Sequence, residues 1–222
     1  LGIFSILVLT FINAKGINYG KIILRCFTSA KWLALFGIII LGLIVFRNPE
    51  IWNLNLSHFW DYGKYGTNGH SGLTFTSVSS YGLLAAIGVG LVGSLFSMDA
   101  WNNVTFLAGE IDKPKHNIPL SLFYGTIIVI VLYLLVNIAY LNLLPFAGDP
   151  NSSTVLGKGV IFAEKDRVAT AAVTQIFGGS AVILMAILIM ISAFGCNNGL
   201  VLSGVRVYQT MAKDGLFFAK MR

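Results

Sequence analysis

Long apolar runs alternate with short polar connectors along most of this chain. Five runs carry at most two charged residues each, and they cover residues 1–14, 22–46, 77–110, 118–146 and 175–208. Crossing the hydrocarbon core of a bilayer takes about 20 apolar residues of helix, so four runs are long enough and the first is short. Because open strands would leave backbone groups unpaired in lipid, the runs are expected to be α-helices. The pattern predicts an all-α transmembrane fold of about five helices.

Composition supports a membrane protein. Of 222 residues, 56% are hydrophobic and only 11% are charged, against about 25% charged in a typical soluble domain. So few charges cannot coat a water-soluble globule. The whole of 1–222 is therefore assigned to a single transmembrane domain, with a short amphipathic helix expected around 166–175. The chain begins at Leu1 within an apolar run and without a basic leader, so we expect an internal fragment rather than a signal peptide.

Lysine and arginine are distributed unequally between the two sides of this arrangement. One side holds ten, namely Lys15, Lys21, Arg25, Lys31, Lys113, Lys115, Arg206, Lys213, Lys220 and Arg222, and the other holds five, namely Arg47, Lys64, Lys158, Lys165 and Arg167. Basic residues accumulate on the cytoplasmic side of membrane proteins. We therefore expect a multi-pass protein of the cell membrane, with connectors 15–21 and 111–117 and the C-terminal end cytoplasmic, and with outer loops 47–76 and 147–174.

The third apolar run contains a polar stretch, Phe-Ser-Met-Asp-Ala-Trp-Asn-Asn, at 96–103. Asp99 precedes Glu110 by 11 positions, which at 1.5 Å per residue places it about 16 Å inside the boundary. A carboxylate there costs about 2.5 to 3.5 kcal/mol and should face protein or water. The run is also about ten residues too long for one crossing. A helix broken near 96–102, able to hold a small zwitterion or ion, is predicted; the alternative is a capping or interhelical cluster without a ligand.

Lys31 is a second polar residue at membrane depth. It lies ten positions beyond Lys21, about 15 Å along the helix, which is deep for an ammonium group to reach the interface. One interpretation is an internal cation that bridges neighbouring helices, with Ser192, Asn197 and Asn198 of the fifth run as candidate partners. The other is a tilted helix that brings the ammonium to the interface.

Other features predict no cofactor, metal or nucleic-acid partner. The Gly-x-Gly-x-x-Gly pattern at 88–93 follows no predicted strand, so it is interpreted as a helix-packing face and not as a dinucleotide site. The three histidines have no metal-ligand spacing, and the basic residues form no stripe suited to nucleic acid. The lipid bilayer and a small molecule are the expected partners, and the sequence predicts no particular partner subunit.

Four separated motifs resemble those of an amino acid permease. They are 96–103 followed by Gly-Glu-Ile-Asp-Lys-Pro-Lys-His-Asn-Ile-Pro-Leu at 109–120, Thr-Ser-Ala-Lys-Trp-Leu-Ala-Leu at 28–35, Phe-Gly-Cys-Asn-Asn-Gly at 194–199, and Arg206 with Ala-Lys-Asp-Gly at 212–215. The resemblance is to the amino acid–polyamine–organocation (APC) superfamily, close to its L-type exchanger branch. It implies a LeuT-like inverted-repeat fold, in which this chain would extend from the end of the family's fourth helix through its eighth. The first helix, which would complete the site, would lie outside it.

The resemblance also implies a substrate site. Its residues would be Phe96, Ser97, Met98, Asp99, Ala100, Trp101 and Asn102. The carbonyls of Phe96 and Asp99 would receive the substrate α-ammonium, and the Phe96 ring would cover the substrate from outside. Many relatives have an aromatic residue in place of Met98 and a glycine in place of Ala100, so the pocket size and the substrate are not carried over.

The same resemblance implies residues that couple or gate transport, namely Lys31, Glu110 and Arg206. Ser192 and Asn197, the candidate partners of Lys31, are assigned to the same coupling group. Lys31 matches the lysine that replaces a sodium site in sodium-independent members. Glu110 and Arg206 would be cytoplasmic charges, which act either in gating or in ordinary helix-end pairing.

The predicted function is secondary active transport of amino acids, independent of sodium, by exchange or with protons. Transport of polyamines or other organic amines is the alternative within the same class. A membrane-embedded enzyme is disfavoured because no catalytic constellation is found at membrane depth. A channel is disfavoured because polar residues cluster once, near the midplane, and do not recur along one helix.

Overall fold

The computed structural model describes residues 2–14, 17–57, 59–60, 63–67, 73–77, 80–97 and 101–218. The α-helices are α1 (Gly2–Ala14), α2 (Ile17–Ile40), α3 (Pro49–Ser57), α4 (Ser80–Ser97), α5 (Pro114–Leu143), α6 (Val155–Lys158), α7 (Val168–Phe177) and α8 (Ala181–Lys213). The prediction of a helical transmembrane fold is confirmed, with one short β-hairpin among the described residues as the exception. Two short antiparallel strands, β1 (Gly63–Thr67) and β2 (Leu73–Ser77), form a hairpin within the segment expected to be an outer loop.

Within these described ranges, three stretches are long and apolar enough to cross a membrane. They are Ile22–Val45, Pro114–Leu143 and Val168–Lys213, of 24, 30 and 46 residues. Their helices carry large apolar side chains on the outside: Leu33 is 74% exposed and Ile183 is 67% exposed. Extensive apolar exposure of this kind suits contact with lipid.

Helix boundaries differ from those expected where the backbone departs from α geometry. After Ile40, α2 continues as a π-helical turn over Leu41–Val45, in which the Phe46 amide donates to the Leu41 carbonyl at 2.8 Å. The fifth run was expected to be one helix from 175, but α7 ends at Phe177 and α8 begins at Ala181. Gly178 lies between them with φ +59°, a conformation that favours glycine and ends a helix.

The chain divides into two compact units. The first contains the described residues within Leu1–Ala34, Asp99–Ile130 and Ile187–Arg222, and the second contains those within Leu35–Met98 and Val131–Ala186. In the second unit a small apolar core joins the end of α5 to the following connector and to α7. Its buried members are Leu143, Leu144, Ala163, Ala171 and Ala172.

Two asparagines organise the end of α5 inside the second unit. The Asn142 amide is buried and donates to the carbonyl of Gly42, in the π-helical turn, at 2.6 Å. The side chain of Asn55, on α3, donates to the carbonyls of Leu141 at 2.6 Å and Leu144 at 3.0 Å. Its oxygen accepts from the Phe146 amide at 2.7 Å. Asn55 therefore satisfies backbone groups that the end of a helix leaves unpaired.

Replacing Asn55 by alanine is expected to lower the free energy of unfolding by ~2 kcal/mol, because three backbone groups lose their partner together. The measurement is thermal unfolding of the detergent-solubilised full-length protein. Asn53→Ala is the matched control, since Asn53 lies on the same helix and is exposed. Equal shifts in the two variants would contradict the role assigned to Asn55.

Candidate functional site

The predicted break lies at the junction between α4 and the segment after it. Helix α4 ends at Ser97, and Trp101–Glu110 form a 3₁₀-helix of 10 residues. Residues 98–100, which include Asp99, lie outside the described residues, as do the side chains of Phe96, Ser97, Asn102 and Glu110. The break stays a prediction. The 3₁₀ geometry supports it, because 3₁₀ runs of more than three or four residues are uncommon and often mark a hinge or strain.

Of the predicted substrate residues, Trp101 is the one whose side chain the structure describes. It begins the 3₁₀-helix and is 64% exposed. Met98 and Ala100 lie outside the described residues. The substrate site itself therefore stays a prediction that is based on the motif.

Lys31 of α2 lies against α8 in the first unit. Its Nζ donates to the Cys196 Sγ at 3.3 Å. One turn earlier, the ring of Phe27 lies 6.2 Å from that of Phe194, measured between ring centroids. The helices meet at the buried Gly195, where an added Cβ would come within 3.0 Å of the Phe27 Cβ and 3.3 Å of the Lys31 Nζ. The absence of a side chain at Gly195 thus allows the ammonium to reach α8.

The partner atom on α8 differs from those named from the sequence. Ser192 and Asn197 are half-buried on the same helix, but the side chain that Lys31 contacts is that of Cys196. A thiol is a weak acceptor, and a hydrogen bond to an ammonium compensates for part of that weakness. The contact links α2 to α8 within one unit.

Asn198 joins three helices and does not serve Lys31. Its side chain is fully buried, with 0% exposure. The oxygen accepts from the Asn13 side chain of α1 at 2.8 Å, and the amide donates to the Gly20 carbonyl of α2 at 3.1 Å. A buried polar side chain with both functions satisfied fixes the relative positions of the helices that it bonds. Asn13 was overlooked in the sequence, although an asparagine in an apolar run is a signal for such a bond.

Arg206 lies near the end of α8. Its Nη1 donates to the Oε1 of Gln209, one turn further along the same helix, at 3.0 Å. This bond holds the guanidinium along the helix surface. A gating role for Arg206 and Glu110 stays a prediction, and the Glu110 side chain lies outside the described residues.

The sequence is similar to a known protein family and to several transporters. The sequence model of a family described as "Amino acid permease" matches residues 1–221. The chain is 28% identical to the serine/threonine exchanger SteT of Bacillus subtilis over 213 residues, which are 96% of this chain and 40% of that protein. It is 25% identical to the mouse b(0,+)-type amino acid transporter 1, covering 95% of this chain and 37% of the relative.

A third relative is the rabbit large neutral amino acids transporter small subunit 2. The identity is 24% over 219 residues, which are 97% of this chain and 35% of that protein. The chain thus matches these relatives along nearly all of its own length but spans about two fifths of theirs.

Proposed function

Because the chain belongs to the amino acid permease family, we propose that the full-length protein transports amino acids across the membrane by a secondary active mechanism. The match across residues 1–221 is the observation that carries this proposal. Three stretches of membrane length support it as well. The family is one of permeases, so an enzymatic reaction is not proposed.

Amino acids are favoured over polyamines by the relatives. The names of the bacterial, mouse and rabbit proteins all refer to amino acids or to serine and threonine. The bacterial relative is described as an exchanger. Exchange is therefore proposed as the mode of transport, with proton coupling as the alternative.

The substrate is proposed to bind at 96–102. The end of α4 at Ser97 and the 3₁₀ geometry from Trp101 support a local loss of the α-helical ladder there. Carbonyls that lose their i+4 donors would be free to receive an α-ammonium group, and the amides of the next segment would favour negative charge. Phe96 is proposed to cover the bound substrate.

Independence from sodium is proposed from Lys31. Its ammonium is 3.3 Å from an acceptor on α8, so a fixed positive charge already links two helices at this position. A bound sodium ion would be the alternative source of that charge. We also propose that connectors 15–21 and 111–117 and the C-terminal end are cytoplasmic, which the distribution of basic residues supports.

The test is uptake of labelled threonine by the purified full-length protein in proteoliposomes. We expect saturable uptake that is unchanged when choline replaces sodium and is accelerated by unlabelled threonine inside the vesicles. Uptake that rises linearly without saturation would indicate a channel, and chemical alteration of the label would indicate an enzyme. Loss of saturable uptake in choline would contradict sodium independence while leaving amino acid transport intact.

A further inference from the structure

A basic cavity lies within the second unit, in the connector between α5 and α8. Its volume is about 260 Å³. Lys158, Lys165 and Arg167 line it together with one carboxylate, Glu164. The three cations and one anion that line it give a formal net charge of +2. Nothing in the proposed transport site uses these side chains.

The wall of the cavity is held by packed residues. Ala163 and Ala171 line it and are only 8% and 9% exposed, because both belong to the apolar core that joins α5 to α7. Thr170 lies in the first turn of α7 and also lines the cavity. Arg167 is the residue immediately before α7, and its side chain does not cap the helix. The Ala171 amide donates to the Arg167 carbonyl at 3.0 Å. Backbone donors at the start of α7 therefore add to the positive potential on this wall.

The charges that line the cavity are not neutralised by each other. In the part of the chain that the structure describes, no ion pair or hydrogen bond engages the side chains of Lys158, Glu164, Lys165 and Arg167. Lys158 is half-buried and the other three are exposed. Solvent screens part of the repulsion between these cations, and an anion bound between them would remove the rest. A zwitterionic amino acid brings no net charge and would leave the excess of +2, whereas a phosphate group, with −1 to −2, matches it.

The cavity lies near the end of a membrane-spanning helix. Val182, in the first turn of α8, lines it and is 55% exposed. The 33 residues of α8 extend about 50 Å at 1.5 Å per residue, which is longer than the hydrocarbon core of about 30 Å. The first turn of such a helix is expected at the level of the lipid headgroups.

We propose that this cavity binds a phosphate group at the membrane surface. Arg167 and Lys165 hold its oxygens, with Lys158 and the start of α7 completing the positive wall. A phospholipid headgroup and free phosphate share this chemistry. Binding ties the connector to α7 and so stabilises the unit that contains the end of α5.

The experiment uses the purified full-length protein and has two arms. One measures thermal stability during titration with inorganic phosphate in lipid-free detergent. The other measures binding of short-chain phosphatidylglycerol by native mass spectrometry, with diacylglycerol of the same acyl chains as the comparison. Stabilisation by inorganic phosphate supports a free anion as the source, and selective binding of the phospholipid supports a headgroup.

Paired variants test the assignment to this cavity. Lys165→Gln combined with Arg167→Gln is expected to weaken binding at least about tenfold, because two charged donors are removed. Glu164→Gln is expected to tighten binding, since it removes the one repelling carboxylate, and a merely structural residue would not do so. Arg47→Gln, an exposed basic residue in the same unit, is the control and should change nothing. Absence of binding in both arms, or equal weakening by the control, would overturn the proposal.

Discussion

Lys31→Ala is expected to reduce amino acid uptake by the full-length protein about tenfold or more. The variant removes an ammonium group that lies 3.3 Å from the Cys196 Sγ and links α2 to α8. A hydrogen bond to a charged group contributes about 1.5 to 3 kcal/mol, and the weak thiol acceptor places this contact at the lower end of that range. Each 1.4 kcal/mol is a factor of ten. If the charge holds these helices together in the substrate-bound state, its loss lowers transport more than it lowers stability.

Two controls separate coupling from simple damage to the fold. Lys213→Ala removes an exposed lysine of the same charge at the end of α8 and should leave uptake unchanged. Cys196→Ser keeps an acceptor opposite Lys31 and should retain most of the activity, whereas Cys196→Ala should not. Full uptake by a well-folded Lys31→Ala protein would show that the role of this residue is assigned wrongly.

The second large effect is expected for Phe96→Ala, which should lower the kcat/KM of uptake about fortyfold. Burying a phenylalanine side chain against a substrate contributes about 1.5 to 3 kcal/mol, and the midpoint of that range gives this factor. Removing a lid that closes over the substrate lowers transport itself as well as affinity. Uptake kinetics in proteoliposomes measure both quantities.

Leu95→Ala is the matched control for Phe96→Ala. Leu95 is the preceding residue of α4 and is 70% exposed, so its truncation should alter neither uptake nor the melting temperature. Phe96→Tyr, which keeps the ring, should retain transport. Wild-type kinetics for Phe96→Ala in a folded protein would remove this residue from the site.

The helical architecture could be predicted because it depends on local sequence. Apolar runs of about 20 residues admit one stable conformation in lipid, and the described helices follow them. A short helix around 166–175 was expected before the fifth run, but the boundary between α7 and α8 lies at 178–180 and not at 175. That boundary depends on Gly178, whose φ of +59° is a matter of conformation and not of hydropathy. The β1–β2 hairpin was missed because its segment was interpreted only as a polar connector.

Long-range polar contacts were the least predictable part. Asn55 bonds carbonyls 86 and 89 positions away, and no local pattern indicates such partners. Lys31 was selected from its depth in an apolar run, and α8 was named as the helix opposite, yet the atom that it contacts belongs to Cys196. A cysteine in an apolar run is interpreted as a small hydrophobic residue, so it was not considered as a hydrogen-bond partner when serine and asparagine lay nearby. Asn198 was named for Lys31 but bonds Asn13 and the backbone of Gly20.

The substrate motif was identified from residue types, and its chemistry depends on backbone atoms. Carbonyls become available only where the helical ladder is lost, and residue types indicate such a loss only through surplus length and competing side chains. The described backbone on either side, with α4 ending at Ser97 and a 3₁₀-helix from Trp101, supports the proposed break. The identity of the transported amino acid depends on side chains from the rest of the site.

A structure of the full-length protein with bound threonine would test the central claim most directly. The account predicts that the substrate lies at 96–102, with its α-ammonium group about 3 Å from the carbonyl oxygens of Phe96 and Asp99 and with the Phe96 ring over it. A continuous α-helix from Ser80 to Glu110, or threonine bound away from this segment, would contradict the account.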